Sequence, residues 1–105
     1  MDSTEYVQRV LDAYRLTPGA CGVVRRADRV FALELFEHGV AIEVVENALV
    51  LAAARRTLRS HDAPPLNVIR SLAYFSPVID EVLGLQVDPA YFQHLRSRLA
   101  RSRQR

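Results

Sequence analysis

The sequence contains no lysine: all fourteen of its basic residues are arginine. Arginine codons are mostly GC-rich, and the aliphatic positions favour Leu, Val and Ala. A GC-rich genome therefore explains the bias better than selection for bidentate contacts does. Cysteine is nearly absent too. The single Cys21 has no partner for an internal disulfide, which fits a reducing cytoplasm. Long apolar runs are missing, the longest being Ala48 to Ala54, far short of a membrane span. The opening Met1-Asp2-Ser3-Thr4-Glu5 is acidic and polar, unlike a secretory leader. No run alternates polar and apolar residues as a strand would, and no internal repeat is visible. Paired histidine spacing is also lacking. His38, His61 and His94 stand far apart, and Asp80-Glu81 point to different faces of a helix. No catalytic residue, metal ligand or cofactor is expected, and the chain is read as a non-enzyme.

What remains is one domain's worth of chain, 105 residues, half of them hydrophobic and a quarter charged. The charge is uneven. Residues 1–95 carry nine arginines against twelve acids, a balance of −3. Residues 96–105 carry Arg96, Arg98, Arg101, Arg103 and Arg105 and no acid.

Helical spacing predicts an all-α fold: a compact bundle of five or six helices around a central apolar helix, in a single domain over residues 1–99. Residues 100–105 form a basic, frayed tail. A first helix over about residues 3–16 has Ser3 or Thr4 as its cap and Val7, Val10, Leu11 and Tyr14 as its inner stripe. Pro18-Gly19 suits a type II turn. A second helix, about 25–38, turns Val30, Phe31, Leu33 and Leu35 inward and ends at Gly39. A third, about 41–59, is apolar almost all round and belongs at the centre. After a loop at 61–65, a helical stretch over about 66–83 breaks near Tyr74–Ser76, with Ser76 capping and Pro77 at the first position of the new helix. Asp88-Pro89 starts a last helix, with Phe92, Leu95 and Leu99 as its stripe.

Several patterns carry possible chemistry. Gly39, Val40, Val45 and Ala48 have helix-turn-helix offsets. The outward residues would then be Ile42, Glu43, Glu46 and Asn47, and two carboxylates repel DNA. An ordinary helix pair is the better reading. Gly19 and Gly22 precede Arg25, Arg26 and Arg29, three cations in a first helical turn, where the helix dipole opposes them. A local rule broken without gain marks a candidate site, and helix amides with three arginines suit a phosphate. The bland alternative is a solvated turn with Asp28 offsetting the charge. Arg55, Arg56 and Arg59 sit at a helix end, where the dipole favours cations and no ligand is needed. In the tail, Arg98 and Arg101, and Arg101 and Arg105, are helical neighbours able to lie along phosphates. An acidic protein or a merely solubilising role would serve as well. Tyr91, Phe92, Leu95 and Leu99 form a possible apolar face for a protein partner.

Thr17-Pro18-Gly19, Arg25-Arg26-Ala27-Asp28-Arg29, Gly39-Val40 and Val44-Val45-Glu46-Asn47-Ala48-Leu49, with Pro64-Pro65-Leu66, Ile69-Arg70-Ser71-Leu72, Tyr74-Phe75 and Pro77-Val78-Ile79-Asp80-Glu81, resemble short helical proteins of GC-rich bacteria associated with mobile elements. That group implies no settled activity. Residues 39–48 and 72–83 bear a looser likeness to the C-terminal helical domain of DnaD-type replication proteins. This second likeness implies contact with DNA or a helicase, though the tryptophan-bearing ends typical of that domain are missing and no functional residue is carried over. The resulting expectation is a cytoplasmic nucleic-acid-binding accessory protein of a mobile element or replication system. DNA or RNA would be gripped by Arg25, Arg26, Arg29 and the tail arginines. The alternative is a helical protein-interaction module without nucleic-acid contact.

Overall fold

The computed structural model describes residues 1–59, 62–84 and 96–99. Helix α1 spans Ser3–Arg15. Its cap is Asp2, one residue earlier than expected, whose carboxylate accepts the backbone N–H of Glu5 at 2.8 Å. Tyr6, Val10, Leu11 and Tyr14 are the buried stripe, and Val7 packs at its margin. The Tyr6 hydroxyl donates to the Val40 carbonyl at 2.8 Å, tying the start of α1 to the end of the next helix.

Thr17 to Ala20 make the expected tight turn. Ala20 N–H donates to the Thr17 carbonyl at 3.1 Å, and Gly19 takes φ +93°, which suits the third position of a type II turn. Helix α2 spans Arg26–Glu37 and ends in a Schellman arrangement. Gly39 adopts φ +74°, its N–H bonds the Phe36 carbonyl, and the Val40 N–H bonds the Leu35 carbonyl.

The face α2 buries differs from the sequence reading. Val30 and Leu33 are 48% and 39% exposed, while Asp28, Ala32 and Leu35 are buried and Phe31 is half-buried. The cause is Asp28, which is drawn inward by backbone donors described below. Once that side chain faces the interior, the residues three to four positions on follow it at helical spacing.

Helix α3 spans Ile42–Thr57, and half of its residues are buried, from Ile42 to Ala54. It packs against α1, against α4 (Ser76–Gly84) and against a 3₁₀ turn at Leu72–Phe75. Residues 96–99 are helical. The described residues are thus mostly helical and contain no strand, only one isolated parallel bridge between Ala20 and Ile69. The radius of gyration, 13.7 Å, is near the roughly 13 Å of a folded domain this size.

The stretch expected to be helical from residue 66 forms no helix before Leu72, and Ser71 is extended. Two prolines precede it, and Ile69 is claimed by the bridge: its N–H donates to the Gly19 carbonyl at 2.7 Å and its carbonyl accepts from Cys21 at 2.8 Å. Backbone pairing with a distant turn has overridden local propensity. The break at Pro77 is also resolved differently. Ser76 is itself helical rather than a cap, and its N–H donates to the Ala73 carbonyl. In a continuous α-helix that carbonyl would fall to the N–H that Pro77 lacks, so the tighter turn satisfies it instead.

Candidate nucleic-acid interface

Asp28 sits at the third position of α2, where a carboxylate can reach back to the capping residue. Its Oδ2 accepts the Arg25 N–H at 2.8 Å, and its Oδ1 accepts the Leu72 N–H at 2.8 Å. The side chain is 2% exposed. The start of α2 and the start of the 3₁₀ turn therefore share one buried carboxylate. No arginine among the described residues pairs with it as an ion.

This inward turn decides what the first turn of α2 displays. Arg25, Arg26 and Arg29 are exposed, and none pairs with an acid among the described residues. Their spacing places Arg25 beside Arg29 (i, i+4) and Arg26 beside Arg29 (i, i+3). The one acid of the turn is hidden beneath them, so the surface shows three cations and no anion. Arg70 is also exposed and without an acid partner among the described residues. It lies two residues before Leu72, whose N–H shares the Asp28 carboxylate with Arg25. Sequence reasoning passed over Arg70, because only the buried carboxylate relates it to α2. The glycine loop itself offers less than expected. The Arg25 N–H that would face an anion is already bound to Asp28.

Of the tail arginines, Arg96 reaches α3. Arg96 and Arg98 are exposed, and Arg96 Nη2 donates to the Asn47 side-chain oxygen on α3 at 2.8 Å. Arg101, Arg103 and Arg105 lie outside the described residues, as do Tyr91, Phe92 and Leu95. Leu99 is 7% exposed, in a groove with Ala13, Leu16, Leu49 and Ala53. It serves this chain's own core and is not part of a free face for a partner.

Arg9, Arg15 and Arg55 are neutralised. Arg9 Nε and Nη2 donate to Glu46 at 3.0 and 2.9 Å, Arg15 meets Asp12 at 3.1 Å, and Arg55 makes a two-pronged pair with Glu81. The hydrogen bond from Arg55 holds the Glu81 carboxyl below its usual range, and Glu46 raises Arg9 likewise. These pairs also dispose of the helix-turn-helix geometry. Ile42 is buried, and Glu46 and Asn47 are occupied by Arg9 and Arg96.

Beneath the first turn of α2, Tyr14 is fully buried with its hydroxyl lacking a hydrogen bond of normal geometry among the described residues. Burial pushes the phenol up to about 12; the nearby Asp28 carboxylate and Cys21 thiol add to this, and Arg25 opposes it. Cys21 is half-buried, and its thiol faces the Val23 carbonyl at 3.8 Å. No group of histidine, cysteine and acid side chains able to hold a metal occurs among the described residues. Nor is any described helix long and apolar enough to cross a membrane.

No protein-family model, curated protein or solved structure matches this chain.

Proposed function

We propose that this chain is a helical bundle built around α3 that binds nucleic acid through the phosphate backbone. The observation that carries the reading is the first turn of α2. Three guanidinium groups are exposed with no acid partner among the described residues, while the acid of the same turn, Asp28, is buried and bound to backbone donors. Guanidinium groups without intramolecular acids are available for phosphate oxygens, which they meet in bidentate fashion. Arg70, two residues before Leu72, offers a further exposed guanidinium without an acid partner among the described residues. Arg96, Arg98, Arg101, Arg103 and Arg105 add affinity that does not depend on sequence. The role as an accessory protein of a bacterial mobile element or replication system rests on the sequence resemblance alone.

An electrophoretic shift panel with single- and double-stranded DNA and RNA, run at several salt concentrations, tests this. Affinity falls steeply with salt. For duplex DNA, Arg25→Ala with Arg26→Ala lowers the slope of log affinity against log salt by about 2. Absence of any shift at low salt refutes the reading.

The exposure of Val30 and Leu33 on α2, beside Arg29, favours a second reading as a protein-interaction module. In that case Val30→Ser with Leu33→Ser abolishes partner capture and leaves nucleic-acid shifts unchanged.

A further inference from the structure

The end of α3 carries Arg55 and Arg56, and Arg59 follows two residues after it. Arg55 is committed to Glu81. Arg56 and Arg59 are not paired with any acid among the described residues. Arg56 Nη2 donates to the Asn67 carbonyl at 2.7 Å, and Nη1 lies 3.4 Å from the Tyr74 hydroxyl, with the guanidinium carbon 5.9 Å from the Tyr74 ring centre. Arg59 Nη1 donates to the Pro64 carbonyl at 2.9 Å. These are the two partly buried arginines among the described residues; the others are exposed. Both line one cleft of about 410 Å³, walled by Pro18, Gly19, Pro64 and Leu66.

Each guanidinium has five donors, and the contacts above use only some of them. The backbone carbonyls they hold are neutral, so among the described residues no acid pairs with either positive charge. The negative end of the α3 dipole offsets about half a charge, well short of two. Asp62, the nearest acid in sequence, is exposed and forms no ion pair with either guanidinium. Gly19 allows the arrangement. A Cβ there would lie 2.8 Å from Arg56 Nε, so only glycine lets the guanidinium rest on the turn.

We propose that this cleft binds a phosphate group, free or carried on a small molecule such as a nucleoside monophosphate, between the guanidinium groups of Arg56 and Arg59. Two fixed cations match a dianion, whereas a lone carboxylate would neutralise only one. The volume falls within the range of small-ligand clefts, roughly 300–1,000 Å³. The site uses none of the residues assigned above to nucleic acid and stands or falls separately from them.

The test follows the arginine Nε–Hε NMR signals of the intact chain during titration with inorganic phosphate, with adenosine monophosphate, and with chloride at matched ionic strength. Phosphate shifts the Arg56 and Arg59 signals saturably, and chloride does not. Arg59→Gln weakens binding about tenfold or more, and Arg25→Ala with Arg26→Ala leaves it unchanged. Tighter binding of the nucleotide through the same two signals identifies an esterified phosphate as the ligand, and equal binding identifies the free ion. Shifts that never saturate, that chloride reproduces, or that survive Arg59→Gln and vanish with the Arg25 and Arg26 changes overturn the proposal. The wild-type titration alone is decisive should a variant fold poorly.

Discussion

The Asp28 carboxylate accepts the backbone N–H of Leu72 across 44 residues of sequence, at 2.8 Å, with almost no solvent access. The same group caps α2 through the Arg25 N–H. Asp28→Ala therefore strands two backbone donors, one of them buried, and costs about 3 kcal/mol of stability, since each lost partner is worth about 1–3 kcal/mol. Asp28→Asn keeps one acceptor oxygen, presents an amide NH₂ to the other donor, and destabilises by less. Urea denaturation of the three proteins measures this order.

Tyr14 provides the opposite case, a buried polar atom whose removal helps. Its ring lies edge-on to Phe75, with centroids 6.1 Å apart, and Phe keeps that packing. Tyr14→Phe raises stability at neutral pH by up to about 1 kcal/mol, because an unsatisfied hydroxyl leaves the core. The pH dependence has a definite sign. The folded phenol titrates at about 12 and the unfolded one near 10, so its contribution is complete below pH 10 and is lost as pH climbs from 10 towards 12. Thermal melts between pH 9 and pH 12 lose stability more slowly in the phenylalanine variant.

Gly19 and Gly22 both adopt positive φ, +93° and +80°, but differ in surroundings. Alanine at Gly22 meets open space and bears only the left-handed strain, about 1 kcal/mol. Alanine at Gly19 bears the same strain and displaces the Arg56 guanidinium, the far end of a flexible side chain that can swing away, so its cost is similar, about 1–2 kcal/mol. Paired denaturation curves of the two variants check this.

Arg9 serves as the control for the cationic surface. Its charge is already paired with Glu46, in an exposed ion pair that contributes little to stability. Arg9→Ala leaves the salt slope of nucleic-acid binding unchanged and lowers stability only slightly. An equal fall in slope for Arg9→Ala and the Arg25 and Arg26 variants would show that net charge, not the α2 surface, governs binding.

Helices α1, α2 and α3 are legible in the sequence, because local patterning decides them. The stripe of α1, the Pro18-Gly19 turn and the Gly39 stop follow from spacing and backbone freedom. Legibility failed where distant backbone groups intervene. Ile69 reads as helical until the turn at Gly19–Cys21 claims both its donor and its acceptor. Asp28 reads as a surface acid until the Leu72 N–H draws it inward, and the rotation of α2 follows. The arginines of α2 were visible as a violation of the dipole rule. Their lack of an exposed counter-charge was not, because it depends on where Asp28 points. Arg56 and Arg59 looked like ordinary helix-end cations, and only the cleft beside Gly19 sets them apart.

The Ala20–Ile69 bridge bears on synthesis. Most helical proteins complete their contacts between neighbours along the chain and fold fast for that reason. Here the turn after α1 waits for a strand-like stretch nearly fifty residues downstream, and Tyr14 waits for Phe75. A ribosome paused between those points would hold a nascent chain with the apolar flanks of α1 and α3 uncovered. Until Phe75 emerges, Tyr14 lacks the ring that covers it in the folded chain.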